Sequence, residues 1–275
     1  MNRFNRPTSG RSKWDSPNNT KRVAAIEKID KMLKDGKNPT SGDFDPVWNK
    51  VSKHFRQAQH DLCGYCGEQT KGGGLDHFRP KTMVKRKLLN EGIHDPKTDS
   101  VSGREFDTAD QPGYYDRAYD WENFVLSCTI CNSKWKRNYF PVTRKSVAGK
   151  QEEYLGPPVD DEVPQMRSPF ADSDPLTEFN INADGLVSAL TSGALSTIEV
   201  CGLWRESLVS NRKEKYAAAW RTLNDYLRAG TPEQERDAAR QDLTAMGGWN
   251  RPLACVVRAA AAAKGLDWDT HFASS

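Results

Sequence analysis

Apolar residues recur at helical spacing near the start of the chain, where Val23, Ile26, Ile29, Met32 and Leu33 share one helix face and Gly36 follows as a stop. Ahead of them, residues 1–20 are polar, rich in Ser, Asn and Pro, with Arg3, Arg6, Arg11 and Lys13 against the single acid Asp15. Such a segment is expected to be a disordered arm. Asp45 as cap and Pro46 at the first position announce a second helix, with Val47, Val51, Phe55 and Leu62 near helical spacing. Residues 21–62 therefore read as an N-terminal helical region that delivers the chain to Cys63. Gly72, Gly73 and Gly74 then make a turn before Leu75-Asp76-His77-Phe78, a short strand presenting Asp76 and His77 at its end. Ile93 to Gln111 scatters Gly, Pro, Ser and Asp and is expected as an inserted loop with His94 exposed. Tyr114, Tyr115, Tyr119, Trp121 and Phe124 form an aromatic run suited to packing a small core, and residues 128–138 should turn into a helix.

The second half reads differently. From Lys150 to Asp184 nine acids oppose only Lys150 and Arg167, with prolines between, so residues 146–184 are expected as an acidic linker. Residues 185–275 read as helices. Leu208, Tyr216, Trp220, Leu223 and Leu227 mark a long one ending at Gly230; Thr231-Pro232-Glu233-Gln234 has the form of a capping box; Pro252 opens a last helix that Gly265 closes.

The chemistry is concentrated in residues 63–145. Cys63-x-x-Cys66 and Cys128-x-x-Cys131 are two matched pairs, and a two-residue gap lets both sulfurs of a pair reach one tetrahedral zinc ion. Four thiolates fill the coordination shell, leaving no position for a reactive water, so this zinc holds shape. Cys201 and Cys255 stand alone and are expected to pack as small apolar side chains. Asp76 and Asn132 offer hard oxygen donors, which suit magnesium or manganese and do not compete with thiolates for zinc. His77 carries an imidazole able to take a proton from water near neutral pH, which makes it the candidate general base.

These residues resemble the HNH, or ββα-metal, nucleases, in the branch with a four-cysteine zinc site and an Asp-His plus Asn catalytic set. The resemblance implies that Asn123, in Trp121-Glu122-Asn123-Phe124, braces the loop facing the histidine. The eponymous last histidine is replaced here by Asn132. Leu75-Asp76-His77-Phe78-Arg79-Pro80-Lys81, Cys131-Asn132-x-Lys134-x-Lys136 and Phe140-Pro141 are similar to the PtuB-type HNH proteins of Septu and retron anti-phage defence systems. That likeness implies an ATPase partner of PtuA type. The expected architecture is α+β: a ββα-metal nuclease core on a structural four-cysteine zinc site, flanked by N-terminal and C-terminal helices.

Charge points to a nucleic-acid substrate locally, although the formal total over 275 residues is only +3. From Lys71 to Asn90 the chain carries Lys71, Arg79, Lys81, Lys85, Arg86 and Lys87 with Asp76 as the only acid; from Ser133 to Lys145 it carries Lys134, Lys136, Arg137, Arg144 and Lys145 with none. Arg79, Lys81, Lys134 and Lys136 flank the proposed reactive residues and are expected to grip phosphate, of DNA ahead of RNA. No apolar run is long enough to span a bilayer and the start lacks a signal-peptide core, so a cytoplasmic protein with reduced thiols is expected. The competing class is a non-catalytic zinc module that binds nucleic acid or bridges proteins. Such a module needs the cysteines and the basic face but has no use for Asp76, His77 and Asn132 together.

Overall fold

In the computed structural model, which describes residues 1–70, 72–107, 111–146 and 148–272, the chain begins with α1 (Arg11–Asp15) and α2 (Thr20–Lys34). A 3-10 turn (Val47–Val51) leads into α3 (Ser52–Ala58) and then β1 (Gly74–His77). Next come β2 (Leu88–Asn90), β3 (Ile93–Asp95), β4 (Ser100–Ser102) and β5 (Glu105–Phe106), with β3 paired to β4 and β2 to β5. After β6 (Phe124–Ser127) a π-helix covers Ile130–Lys136, followed by β7 (Val142–Lys145) between β8 (Gln151–Glu153) and β9 (Val163–Pro164). The hairpin β10 (Phe179–Ile181) and β11 (Val187–Ala189) precedes five helices: α4 (Ser192–Cys201), α5 (Glu206–Leu227), α6 (Glu233–Gly247), α7 (Ala254–Ala263) and α8 (Trp268–His271). The protein is thus mixed α and β.

The organising element is the antiparallel ribbon of β1 and β6, in which Leu75 pairs with Leu126, Asp76 with Val125 and His77 with Phe124. Side chains alternate across a strand, so the ribbon serves two apolar layers. Leu75, Phe124 and Leu126 join Ala25, Ile29, Trp48 and Phe55 of the N-terminal segments, whereas Val125 joins the cysteines and the C-terminal helices. Gly73 shows why glycine precedes β1: a Cβ there would lie 2.1 Å from the Ser127 carbonyl oxygen. Cys201 and Cys255 are buried within the apolar core, but Cys255 is not purely a packing residue, because its Sγ accepts a hydrogen bond from the N-terminal amine of Met1 at 3.0 Å.

Three expectations are corrected. Residues 1–20 do not form a loose arm: Asn2, Phe4 and Trp14 are buried, Asn2 Nδ2 donates to the carbonyls of Trp249 and Arg251, and the Trp14 indole donates to Tyr119 O at 3.0 Å. A few large apolar groups outweigh the polar composition around them. The segment from Ile93 is a β3–β4 hairpin rather than an open loop, and His94 is not exposed; its ring sits against Trp135 and Trp204 and its Nε2 lies 3.3 Å from Asp99. Residues 108–110 of that stretch, and Lys71, lie outside the described residues.

The acidic stretch is not a linker either, because β8 and β9 pair with β7 and Glu162 is buried. Its carboxylate meets Arg79 at 2.5 Å and Arg86 at 3.1 Å and accepts a hydrogen bond from Tyr114. Removing one partner of such a buried set strands the other charges, so Glu162→Ala is expected to destabilise the fold by about 3 to 5 kcal/mol. A urea midpoint unchanged from the native chain would contradict that expectation.

Candidate metal centre and active site

Cys63, Cys66, Cys128 and Cys131 come together from two places in the chain, the turn after α3 and the turn after β6. Their four sulfurs lie within 4.8 Å of one another, all buried, with Cys66 Sγ and Cys128 Sγ 4.0 Å apart. Tetrahedral zinc with bonds of about 2.3 Å asks for sulfurs roughly 3.8 Å apart, so the donor set fits that ion. The first pair is shaped by backbone bonds, Gly67 N to Cys63 O at 2.9 Å and Cys63 N to Glu68 O at 2.7 Å, and Gly67 takes the left-handed φ of 79° that closes the turn. In the second pair the Cys131 amide points at Cys128 Sγ at 3.4 Å. Arg205, itself buried, reaches Cys131 Sγ at 3.6 Å. Burial works against its charge, but the surrounding thiolates outweigh burial and hold the guanidinium charged.

Asp76 and His77 occupy the end of β1 and are both about 94% buried, each 6% exposed. Asp76 faces the side of the cysteine cluster, where Oδ2 accepts from the Tyr65 hydroxyl at 2.6 Å and pairs with Lys136 Nζ at 3.1 Å. His77 faces the N-terminal layer, its ring edge-on to Trp48 (4.7 Å between centroids) and to Phe124 (5.5 Å). Its Nε2 lies 2.9 Å from the Ala118 carbonyl, a contact in which only a protonated nitrogen can donate, so Nδ1 is left as the acceptor. Burial above all, with Lys81 and Lys136 adding to it against the Ala118 bond, lowers the His77 pKa to about 3. The ring is therefore neutral at neutral pH. Lys81 feels both Asp76 and Lys136, so Asp76, Lys81 and Lys136 interact electrostatically around the neutral His77 ring despite the strand pleat.

Asn123 sits between these parts. Its Oδ1 accepts from Arg79 N at 2.7 Å, and its Nδ2 donates to Arg79 O at 2.9 Å and Arg117 O at 3.0 Å. It thereby ties the segment after His77 to the residue preceding Ala118. Asn132 lies in the π-helix; its side chain makes no hydrogen bond among the described residues, and none joins it to Asp76. Of the basic residues, Lys81 lies over the Phe44 and Trp48 rings, Arg79 is bound to Glu162, and Lys134 donates to the Thr98 carbonyl. Lys136 is not a surface grip for phosphate. Its side chain is 0% exposed, with Nζ between Asp76 Oδ2 and the His77 carbonyl at 2.8 Å, because a buried carboxylate needs a compensating cation.

Four participants went unmarked by sequence reasoning: Tyr65, Trp48, Glu162 and Arg205. Tyr65 had a signal, an aromatic between two ligating cysteines. The others reach the site from segments whose approach nothing local announces.

Fold and site together define a mixed α and β protein built on a buried four-cysteine cluster able to hold a metal ion. Over 107 residues the chain is 33% identical to the Septu protein PtuB of Bacillus mycoides (strain KBAB4), a stretch covering 38% of this chain and 29% of that relative. The match supports a PtuB-like relationship, and the chain aligns with under a third of the relative's length. No family model and no solved structure matches the chain. No helix among the described residues is long and apolar enough to cross a membrane.

Proposed function

We propose that this chain is a metal-dependent HNH endonuclease of ββα-metal type that hydrolyses phosphodiester bonds in DNA, acting in anti-phage defence beside an ATPase partner of PtuA type. The single observation that carries the reading is the placement of the His77 ring, set edge-on to Trp48 and Phe124 and tied through Nε2 to Ala118 O, which leaves Nδ1 as its acceptor. In this reading His77 Nδ1 takes a proton from water as the water oxygen bonds to phosphorus and the bond to the 3′ oxygen breaks. Asn123 fixes the distance between β1 and the Arg117–Ala118 segment, and so the direction of the imidazole. Lys81, beside both reactive residues, adds positive charge where the phosphate would sit.

Zinc in the four-cysteine cluster is structural. Asp76 Oδ1 and the Asn132 amide make no hydrogen bond among the described residues, and each is an oxygen donor of the kind magnesium or manganese accepts alongside water and phosphate. Bound there, a divalent ion would neutralise charge on the phosphate and the leaving oxygen. Arg79 and Lys134 complete the proposed phosphate contacts.

One observation favours the second reading, a zinc module without catalysis: Lys136 already occupies Asp76. Incubating the chain, alone and with its ATPase partner, with plasmid, single-stranded DNA and tRNA separates the two. Nicking of plasmid that requires added magnesium or manganese is expected. Intact nucleic acid under every one of these conditions would leave the non-catalytic module standing.

A further inference from the structure

A cleft of about 630 Å³ opens on the N-terminal layer, between the start of α2 and the 3-10 turn that precedes α3. Lys13, Lys21, Lys50 and Lys53 line it, with Asn18 and Trp14 between them, and no acidic side chain contributes to its wall. All four lysines are exposed, and none forms an ion pair among the described residues. That is unusual for their neighbours: Arg11 and Arg22 pair with Asp15, and Lys28 pairs with Asp45.

The local rules of stability are broken here in one direction. The first turn of α2 carries Lys21 and Arg22 and no acid, although the positive end of a helix dipole favours acids. Lys21 and Lys50, brought from separate elements, line the same cleft, and the neighbouring Lys21 lowers the Lys50 pKa. A solvated charged face would let such long side chains spread apart. Concentrated like charge without a counter-ion is instead what a bound polyanion relieves.

The cleft's place in the fold says which polyanion. Lys50 and Trp48 lie on the same 3-10 turn; Lys50 lines the cleft while Trp48 packs on the His77 ring at 4.7 Å and lies beneath Lys81 at 5.3 Å. The turn thus links Lys81, which lies over Trp48, to the cleft that Lys50 and Lys21 line. We propose that the lysine cleft formed by Lys13, Lys21, Lys50 and Lys53 is a phosphate-binding site that anchors the backbone of a nucleic-acid strand next to His77. The inference rests on the nuclease reading for its orientation, but binding by the cleft does not require cleavage.

The test is equilibrium binding of a fluorescein-labelled 30-base-pair DNA duplex to the full chain without added divalent ion, followed by anisotropy over a series of salt concentrations. The double variant Lys21→Glu/Lys50→Glu is compared with Lys31→Glu/Lys34→Glu, which makes the same charge change at the far end of α2. Zinc content and circular dichroism establish that both fold. Lys21→Glu/Lys50→Glu is expected to weaken binding about tenfold or more and to reduce the salt slope by about 2, while the control pair changes little. Equal losses in both pairs, or none in either, would overturn the proposal, as would displacement of the duplex by ATP at a matched phosphate concentration, which would assign the cleft to a free nucleotide. Duplex binding that depends on Lys21 and Lys50 in a chain that cleaves nothing would keep this inference and reject the nuclease reading.

Discussion

Replacing His77 with Gln or Ala is expected to reduce metal-dependent plasmid nicking by about 100- to 10,000-fold, the usual worth of a positioned general base. The expectation follows from geometry. The ring is held on three sides, by Trp48, by Phe124 and by the Ala118 carbonyl, and only Nδ1 is left to accept. Glutamine fills much of the same volume and can still donate to Ala118 O, but its amide oxygen does not take up a proton at neutral pH. Alanine removes the ring altogether and leaves a void against Trp48 and Phe124, so it costs stability as well. The informative comparison is therefore His77→Gln, with zinc stoichiometry and the thermal midpoint measured on the same preparation. Native nicking rates in a folded His77→Gln chain would reject His77 as the base. Loss of nicking with loss of zinc would say only that the fold had failed, which is why glutamine is preferred.

How far the sequence could be read depends on whether each contact is local. The two C-x-x-C pairs are local, and their spacing carries the ligand geometry within itself, so their convergence followed from zinc chemistry alone. The α2 periodicity and the short β1 strand after glycines were equally readable, because apolar spacing and turn residues act over a few positions. Charge was misread for the opposite reason. Lys136 looks like its neighbours Lys134 and Arg137 in a row of cations, yet it alone turns inward, because Asp76 is buried on the facing strand. The acidic stretch looked like a linker because its net charge is set by many exposed acids. One buried residue, Glu162, decides where the segment goes, and it meets arginines more than seventy residues away. In the first twenty residues, Phe4 and Trp14 outweigh a disordered composition in the same manner.

Loss of the zinc ion is expected to have the largest effect on the molecule, abolishing cooperative folding of the ribbon rather than merely loosening it. The apparent binding energy of a structural zinc in a small metal-dependent fold is about 10 to 16 kcal/mol. Net stabilities of whole domains are about 5 to 15 kcal/mol, so the ion outweighs the reserve left without it. Here the cluster closes a long excursion, since Cys66 and Cys128 are separated by β1, all of β2 to β5 and β6. The ribbon depends on that closure: Gly64 N donates to Leu126 O at 2.8 Å, and Gln59 bonds both the amide and the carbonyl of Leu126. Without the ion, four buried thiols face one another beside the Arg205 guanidinium, which then keeps only the 4.0 Å pairing with Asp99 as its anionic contact. Cys66→Ser is accordingly expected to lower bound zinc from one ion per chain toward none, to broaden the thermal transition, and to expose the tryptophans packed on the ribbon, seen as a red shift in their fluorescence. Withdrawing magnesium or manganese should do none of these things, because oxygen ligands at Asp76 and Asn132 would act on the reaction and not on the fold. A Cys66→Ser chain that binds no zinc yet unfolds as sharply and as late as the native protein would show that the cysteines are ordinary core residues, and would remove the scaffold on which the placement of His77 depends.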